Sequence, residues 1–375
     1  MKKNPKFDDI RPYYEDEIPA AMQRIADCEA FPLLASYVFP DESLEEARKI
    51  LKSYTTIREF QHDAMRRVNE QVISRSISGF SYSGIERLDP NKRYLFVSNH
   101  RDIVLDSCLL QYVLVMSGFE TTEITFGANL MMNPVVVDIG RSNKMFRVER
   151  PGCGIKEFYR ASNHLSEYIR YAITEKKESV WIAQHNGRTK NGIDVTDQGI
   201  IKMFCMSEPQ DKIKALADLN IVPVSISYEW EPCDVLKALE LYESQYTAYI
   251  KKPGEDLNSI LTGILQPKGR VHIELCEPLS FAELAAFERM TNNEYHKSVA
   301  KLLDRRINTA YRLYPNSYIA HDLLYGNTKY RTMYTDEQYH AFVKHLSMLD
   351  RYDTCDHERL RDIFIGIYSN PIDNK

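Results

Sequence analysis

One short stretch of the sequence places a histidine beside two aspartates. It runs Ser98-Asn99-His100-Arg101-Asp102-Ile103-Val104-Leu105-Asp106. A histidine next to a carboxylate can work as a general base, because the carboxylate fixes the imidazole tautomer and stabilises its protonated form. The stretch therefore predicts a catalytic His100 oriented by Asp106 or Asp102. A simpler interpretation uses the same residues: Asn99 or Asp102 caps a helix, and His100 is a hydrogen-bonded loop residue.

Apolar runs on both sides of this stretch predict the elements that must position it. Tyr94-Leu95-Phe96-Val97 has the composition of a buried strand, and a second apolar run from Ile103 to Met116 indicates a helix. On a regular helix, residues six positions apart point about 240° apart around the axis. His100 and Asp106 can therefore meet only if His100 lies in a loop before the helix begins.

Composition bounds the class of protein. A chain of 375 residues with 43% hydrophobic residues can bury a substantial core, and its net charge of −5 argues against a general nucleic-acid binder. The seven cysteines form no Cys-x-x-Cys pair, so we expect neither a disulfide framework nor a cysteine zinc site, and a reducing cytoplasm fits best. No stretch reaches the roughly 18 apolar residues of a spanning helix. Any membrane contact is expected to be peripheral.

The hydrophobic pattern divides the chain into three parts. Residues 1–78 are predicted to be a helical region, and residues 280–375 return to helix. Residues 79–279 alternate short β-like runs with helices, which is typical of an α/β fold with a mixed, largely parallel sheet covered by helices. The predicted strands are Arg93–Val97, Glu123–Phe126, Met145–Val148, Ser179–Ala183, Ile221–Tyr228 and Arg270–Leu275. Pro223 suggests that its strand is an edge strand or contains a bulge.

Two further loops carry cations at predicted strand ends, where ligands gather in such sheets. The first segment runs from Gly127 to Arg150 and includes Asn129 and Arg147, and the second contains Gly187-Arg188-Thr189-Lys190. Arginine and lysine are the side chains that a phosphate-bearing substrate requires, and backbone amides of a glycine turn can hold an oxyanion or a phosphate. A solvated charge run explains the first group of cations almost as well.

The histidine of the second loop opens an alternative chemistry. His185 could join His100, Asp102 and Asp106 as a ligand of a metal-dependent hydrolase. Such an enzyme predicts a stoichiometric metal and loss of activity on chelation. The spacing of ligands on separate loops leaves this alternative open.

Four blocks, in sequence order, resemble the lysophospholipid and glycerol-3-phosphate acyltransferase family, in particular its bacterial 1-acyl-glycerol-3-phosphate type. The family has Asn-His followed by four residues and Asp, a Gly-x-Asn-Leu loop with a later Phe and Arg, Glu-Gly-x-Arg, and a Val-Pro-Val strand. The matching residues are Asn99-His100, Gly127–Leu130 with Phe146–Arg150, Gly187-Arg188 and Val222-Pro223-Val224. The resemblance covers about residues 95–228.

The chain departs from the family pattern at two places. Asp106 stands one residue further from His100 than the family's aspartate, and Asp102 stands too close. We favour Asp106, because it follows the apolar turn and precedes a small Ser107-Cys108 pair as the family's aspartate does. The glutamate of the third motif is missing, whether His185 or Asn186 is aligned with it.

The resemblance implies an O-acyltransferase of phospholipid synthesis. It would move a fatty acyl group from an acyl-CoA or acyl-ACP thioester to a hydroxyl of glycerol-3-phosphate or lysophosphatidate, with no metal or other cofactor. His100 would be the base and Asp106 its partner. The acceptor would be bound by the residues of the later blocks: Asn129, Arg147, Arg150, Gly187, Arg188 and Lys190.

The same resemblance predicts where the protein works. We expect a cytoplasmic protein peripheral to the inner face of the cell membrane, with a membrane surface but no nucleic acid among its partners. Either the N-terminal helices or the apolar face of residues 103–116 could lie in the lipid interface. The missing glutamate keeps a third possibility open, which is a catalytically silent lipid-binding protein that retained the fold.

Overall fold

The computed structural model describes residues 3–131, 133–149, 154–247 and 249–375. Arg150, one of the predicted substrate-binding cations, lies outside the described residues. The centre of the protein is a seven-stranded sheet in the order β1-β7-β6-β2-β5-β3-β4. The strands are β1 Ile77–Ser83, β2 Leu95–Ser98, β3 Thr122–Gly127, β4 Met145–Val148, β5 Ser179–Ala183, β6 Ile221–Tyr228 and β7 Gly269–Leu275.

The sheet is mixed and largely parallel, which confirms the predicted fold class. Strands β6, β2, β5, β3 and β4 run in one direction. Strand β7 is antiparallel to β6, and β1 is parallel to β7, so these two strands run the other way. The carboxyl ends of the five parallel strands therefore meet at one edge of the sheet, which we call the C-terminal edge.

Six of the seven strands lie where the hydrophobic pattern predicts them, to within about two residues. Strand β1 was not predicted, because its sequence Ile-Ser-Gly-Phe-Ser-Tyr-Ser carries few apolar residues. The prediction from Pro223 was wrong, because β6 lies inside the sheet between β7 and β2. Its ladder with β7 starts only at Val224. The carbonyl of Pro223 accepts from the backbone N–H of Cys276, one residue beyond the end of β7. Proline has no N–H to donate, and Pro223 lies opposite a position where β7 has already ended.

Helices precede, connect and follow the strands. Before the sheet lie α1 Ile18–Asp27, α2 Phe31–Val38, α3 Leu44–Ser53, α4 Ile57–Glu59 and α5 Arg66–Ser76. Among the strands lie α6 Leu105–Met116, α7 Pro134–Ser142, α8 Ile155–Tyr171, α9 Gln198–Cys205, α10 Lys212–Ala217, α11 Asp234–Ser244 and α12 Glu255–Leu265. After the sheet lie α13 Phe281–Ala285, α14 Asn292–Ala310, α15 Pro315–Leu324, α16 Asp336–Leu346 and α17 His357–Asp373. Within the described residues, no helix is both long enough and apolar enough to cross a bilayer.

Alternate residues of the strands face opposite sides of the sheet, and each side is covered by helices. Leu95 and Val97 of β2 pack into a cluster with α8, α9 and α14, whereas Phe96 faces a cluster with α5 and α6. Helices α11, α15, α16 and α17 share a further cluster that includes Phe342 and Phe364. The sheet is thus buried on both faces, and the C-terminal edge is left to carry polar loops.

Candidate active site

The predicted general base and its carboxylate lie together at the C-terminal edge. Strand β2 ends at Ser98 and α6 begins at Leu105, so His100 lies in the intervening loop, as the spacing required. Its Nδ1 lies 2.9 Å from Oδ2 of Asp106. Because a carboxylate only accepts, Nδ1 carries the proton and Nε2 is left as an acceptor. Nε2 makes no hydrogen bond to any described residue, and the imidazole is 14% exposed.

Asp106 is held by more donors than the histidine alone. Its Oδ2 also accepts from the backbone N–H groups of Arg101, at 2.6 Å, and Asp102, at 2.9 Å. Its Oδ1 accepts from the hydroxyl of Tyr228, at 2.8 Å. Burial and the charge of Asp106 hold the pKa of Tyr228 well above its usual value, so this hydroxyl stays a donor. The fully buried carboxylate therefore has one fixed orientation.

Asp102 does not contact the histidine. Its Oδ1 accepts from the backbone N–H groups of Val104 and Leu105, both at 2.9 Å, and so caps the start of α6. Its Oδ2 is buried without a hydrogen-bond partner among the described residues. Burial and the charge of Asp106 raise the pKa of Asp102. The structure thus brings Asp106, and not Asp102, to His100.

The loop that carries His100 is fixed to the neighbouring strands. The side-chain amide of Asn99 donates to the carbonyl of Ile226, at 3.0 Å, and accepts from its N–H, at 2.8 Å. The carbonyl of His100 accepts from the backbone N–H of Thr189, at 2.7 Å. The imidazole and the Trp181 ring form a T-shaped pair, with ring centroids 5.8 Å apart. His100 thus sits between β6 and the loop that follows β5.

A buried network of four charges surrounds Arg101, the residue after the histidine. Its guanidinium donates to Asp194 at 2.6 Å and to Glu231 at 3.2 Å. Lys237 donates both to the carbonyl of Arg101, at 2.6 Å, and to Glu231, at 2.5 Å. All four side chains are buried. The two cations, Arg101 and Lys237, pair with two carboxylates, so no buried charge is left unpaired. The network also holds the backbone beside His100.

Sequence reasoning missed most of these supporting residues. Tyr228 was assigned only to a strand, and Asp194, Glu231 and Lys237 received no role. In the sequence, these residues are recognisable only as charged or hydroxyl side chains next to apolar neighbours. Many surface residues have the same neighbours, so this pattern does not single them out.

His185 lies close to His100 and makes a different set of contacts. Its Nε2 lies 2.9 Å from the hydroxyl of Thr189, which donates to Asp194 at 2.6 Å. Burial, followed by electrostatic repulsion from the nearby His100, lowers the pKa of His185, which favours its neutral form. No group of three or more histidines, cysteines or acidic residues suited to a metal ion occurs within the described residues. The metal-dependent hydrolase therefore finds no support.

The predicted acceptor-binding residues differ in how free they are. Arg147 is an exposed residue of the edge strand β4 and pairs with Glu149 at 2.7 Å. Lys190 forms an ion pair with Glu240 of α11. Asn129 donates to Asp256 at 2.9 Å, and its own Oδ1 is buried without a partner among the described residues.

Arg188 is the predicted cation that the structure leaves least satisfied. Its side chain is half-buried, and its Nη1 has no hydrogen-bond partner among the described residues. The next residue, Thr189, donates its backbone N–H to the carbonyl of His100 at 2.7 Å, so Arg188 lies beside the His100 loop. Gly187 precedes it with a φ of +79°, in the left-handed region that favours glycine.

Comparison with known proteins bears on this site. Residues 79–227 match the family model described as Acyltransferase. Among solved structures, the chain is similar to the 1-acyl-sn-glycerophosphate (LPA) acyltransferase PlsC from Thermotoga maritima, with 14% identity, a TM-score of 0.38, and coverage of 78% of this chain and 94% of that one. No curated protein sequence matches the chain significantly. The matched residues 79–227 contain His100, Asp106 and Arg188.

Proposed function

We propose that this protein transfers a fatty acyl group from a thioester to a hydroxyl of a phosphate-bearing acceptor, either glycerol-3-phosphate or lysophosphatidate. One observation carries the proposal. The Nδ1 of His100 lies 2.9 Å from a carboxylate that three further donors hold in place, within the segment that matches the acyltransferase family. A base that is oriented in this way, with a free Nε2, suits proton removal from a hydroxyl.

The proposed reaction needs no acyl-enzyme. Nε2 of His100 takes the proton of the acceptor hydroxyl while its oxygen attacks the thioester carbonyl. The tetrahedral intermediate then loses the thiolate, which takes the proton back from the imidazolium and leaves as a free thiol. Asp106 stabilises the imidazolium, and backbone amides of the Gly187 turn are the proposed donors to the oxyanion.

The acceptor phosphate is proposed to bind beside Arg188. A buried N–H group without a hydrogen-bond partner among the described residues, such as that on Nη1 of Arg188, is costly, and a phosphate oxygen would satisfy it. Arg147, Arg150, Lys190 and Asn129 remain proposed contributors. Of these, Arg147 and Lys190 would have to leave their carboxylate partners to bind the acceptor. The donor is proposed to be an acyl-CoA or acyl-ACP, with no metal or other cofactor, and the protein to work peripherally at the cytoplasmic face of a membrane.

Release of free thiol from an acyl-CoA tests the proposal. We expect release that depends on glycerol-3-phosphate or lysophosphatidate and is absent with glycerol. His100→Ala should lower turnover by 10²–10⁴-fold, the usual contribution of a general base. His340→Ala, which changes an exposed histidine, should not.

Three outcomes would contradict the proposal. Near-normal turnover of His100→Ala would remove the assigned base. Loss of wild-type turnover after a chelator is added would favour the metal-dependent hydrolase instead. Tight binding of lysophosphatidate without any thiol release would instead indicate a silent lipid-binding protein.

A further inference from the structure

Helix α12 carries a stripe of exposed leucines. Leu257, Leu261 and Leu265 are 58%, 47% and 66% exposed. Their spacing of four residues puts them on one side of the helix. Ile250, just before the helix, is 83% exposed. An exposed apolar stripe of this kind marks an interaction surface more often than an accident of composition.

The opposite side of α12 covers the candidate active site. Asp256 accepts from Asn129, which follows β3. Gly263 lies so close to Asp102, which follows β2, that an added Cβ would come within 2.1 Å of its carboxylate oxygen. The helix therefore lies along the C-terminal edge, with its inner face on the His100 loop and its leucines facing away from it.

Two other elements place exposed apolar residues at the same edge. Helix α8 follows the end of β4, and its first residues Ile155, Phe158 and Tyr159 are 91%, 41% and 60% exposed. In the loop that follows β5, Ile193 and Val195 are 39% and 56% exposed. Exposed apolar side chains of three separate elements thus follow or cover the strand ends on the side of the sheet that carries His100. A broad flat surface contacts several such elements at once, whereas a peptide helix needs a single groove.

The charges near these residues select the partner. Lys156, Arg160 and Lys252 are exposed and take part in no ion pair with any described residue. Residues 155–160 and 250–257 together carry four cations and three acids, Glu157, Glu255 and Asp256, so this surface is slightly positive in a chain whose net charge is −5. Exposed leucines and aromatic residues flanked by lysine and arginine are the combination that binds anionic lipid surfaces.

We propose that the C-terminal edge of the sheet docks on an anionic lipid bilayer, with Leu257, Leu261 and Leu265 of α12 in the interface and Lys156, Arg160 and Lys252 at the headgroups. The assignment of a purpose rests on the proposed function, because docking would bring the acceptor site to the surface in which a lysophosphatidate lies. The proposed surface does not include α6. Residues of α6 such as Leu109 and Val113 are buried in the core.

Vesicle sedimentation of the full chain tests this surface. The probes are vesicles of phosphatidylglycerol and phosphatidylcholine in equal parts, and vesicles of phosphatidylcholine alone. We expect the wild-type chain to bind the anionic vesicles more tightly. The double variant Leu257→Gln/Leu261→Gln should bind them at least about tenfold more weakly, since two apolar side chains leave the interface. The matched control Leu33→Gln/Leu44→Gln changes two exposed leucines of the N-terminal helices and should bind like the wild type.

Several results would overturn the docking surface. They are absence of wild-type binding, unchanged binding of the α12 variant, equal binding of the two kinds of vesicle, or loss of binding in the Leu33/Leu44 variant alone. Light scattering adds one more: a wild-type dimer that becomes a monomer in the α12 variant would assign the leucines to a second copy of the chain.

The outcome is separable from that of the proposed function, because sedimentation uses neither acyl donor nor acceptor. Thiol release with water-soluble glycerol-3-phosphate, measured on the same α12 variant, shows that its site is intact. His100-dependent release without vesicle binding would remove the docking surface and keep the acyltransferase. Vesicle binding without thiol release would keep the docking surface and remove the acyltransferase.

Discussion

At the scale of single residues, two aspartates that are neighbours in sequence have separate tasks. Asp106 accepts hydrogen bonds from His100, Tyr228 and two backbone N–H groups, so it can stabilise a charged imidazole. Asp102 caps α6 and leaves one oxygen without a partner among the described residues. The loop between His100 and Asp106 is one residue longer than in the family pattern. The two side chains still meet, because the loop folds back toward the histidine.

Replacing Asp106 or Asp102 by asparagine should affect thiol release to different extents. Asp106→Asn removes the charge that stabilises the imidazolium and allows the wrong tautomer, and we expect thiol release to fall by 10²–10⁴-fold. Asp102→Asn keeps an acceptor oxygen for the cap, so we expect release to fall by less than about tenfold. The measurement is steady-state thiol release with glycerol-3-phosphate.

The free energy of unfolding provides a second readout for the same pair. Burial raises the folded-state pKa of Asp102, so the unfolded chain loses this proton first, and the group lowers stability as pH rises above its ordinary value of 3.8. Asp102→Asn should therefore be at least as stable as the wild type at pH 7. A larger loss of activity in Asp102→Asn than in Asp106→Asn would reverse the assignment of the two aspartates.

At the scale of elements, two helices hold the loops of the site through glycines. Gly263 lets α12 approach Asp102, where an added Cβ would lie 2.1 Å from the carboxylate. Gly192 has a φ of +80° and lets the loop after β5 approach α17, where a Cβ would lie 2.2 Å from the carbonyl of Ile367. On helix α17, the hydroxyl of Tyr368 also donates a hydrogen bond to Asp234. The loops around His100 are therefore held partly by elements far along the chain.

Two helical glycines offer a matched test of the close approach of α12. Gly263→Ala inserts a methyl group against Asp102, and we expect the free energy of unfolding to fall by about 1–3 kcal/mol, as for other overpacked sites. Gly366→Ala in α17 meets its nearest atom at 3.8 Å, and we expect a rise of about 0.5–1 kcal/mol, because alanine favours helix. Urea unfolding measures both. Equal stability of the two variants would show that α12 does not press on the active-site loop.

At the scale of the whole molecule, buried histidines should set the response to mild acid. Burial lowers the pKa of four histidines below the ordinary value of 6.5, namely His62, His185, His272 and His296. As pH falls below 6.5 the unfolded chain takes up these protons first, so the free energy of unfolding falls; above 6.5 the full stability is present. We expect Tm to be lower at pH 5.5 than at pH 7.5. This window lies above the ordinary pKa of the carboxylates.

Single substitutions test the source of that pH dependence. His272→Gln should reduce the difference in Tm between the two pH values, because one buried proton acceptor is lost. His357→Gln, at an exposed position, should leave the difference unchanged. A Tm that rises toward pH 5.5, or an unchanged difference in His272→Gln, would contradict the prediction.

Local patterns in the sequence predicted six of the seven strands and the loop position of His100. Runs of β-branched and apolar residues predict strands, and parallel strands place their following loops at one edge, so the loops of His100, Asn129 and Arg188 converge. The choice of Asp106 over Asp102 as the partner of His100 also agrees with the structure. Such features depend on residues that are close in sequence, and physical preferences act directly at that range.

Tertiary structure alone decided what surrounds the pair. Tyr228 reaches Asp106 across 122 positions, and Lys237 reaches Arg101 across 136 positions. The central place of Pro223 and the course of α12 over Asp102 were likewise absent from the local pattern. Burial turns an ordinary tyrosine or lysine into a positioning group, and burial depends on how distant elements pack. The sequence by itself therefore singled out His100, and only the packing of remote elements decided what holds it in place.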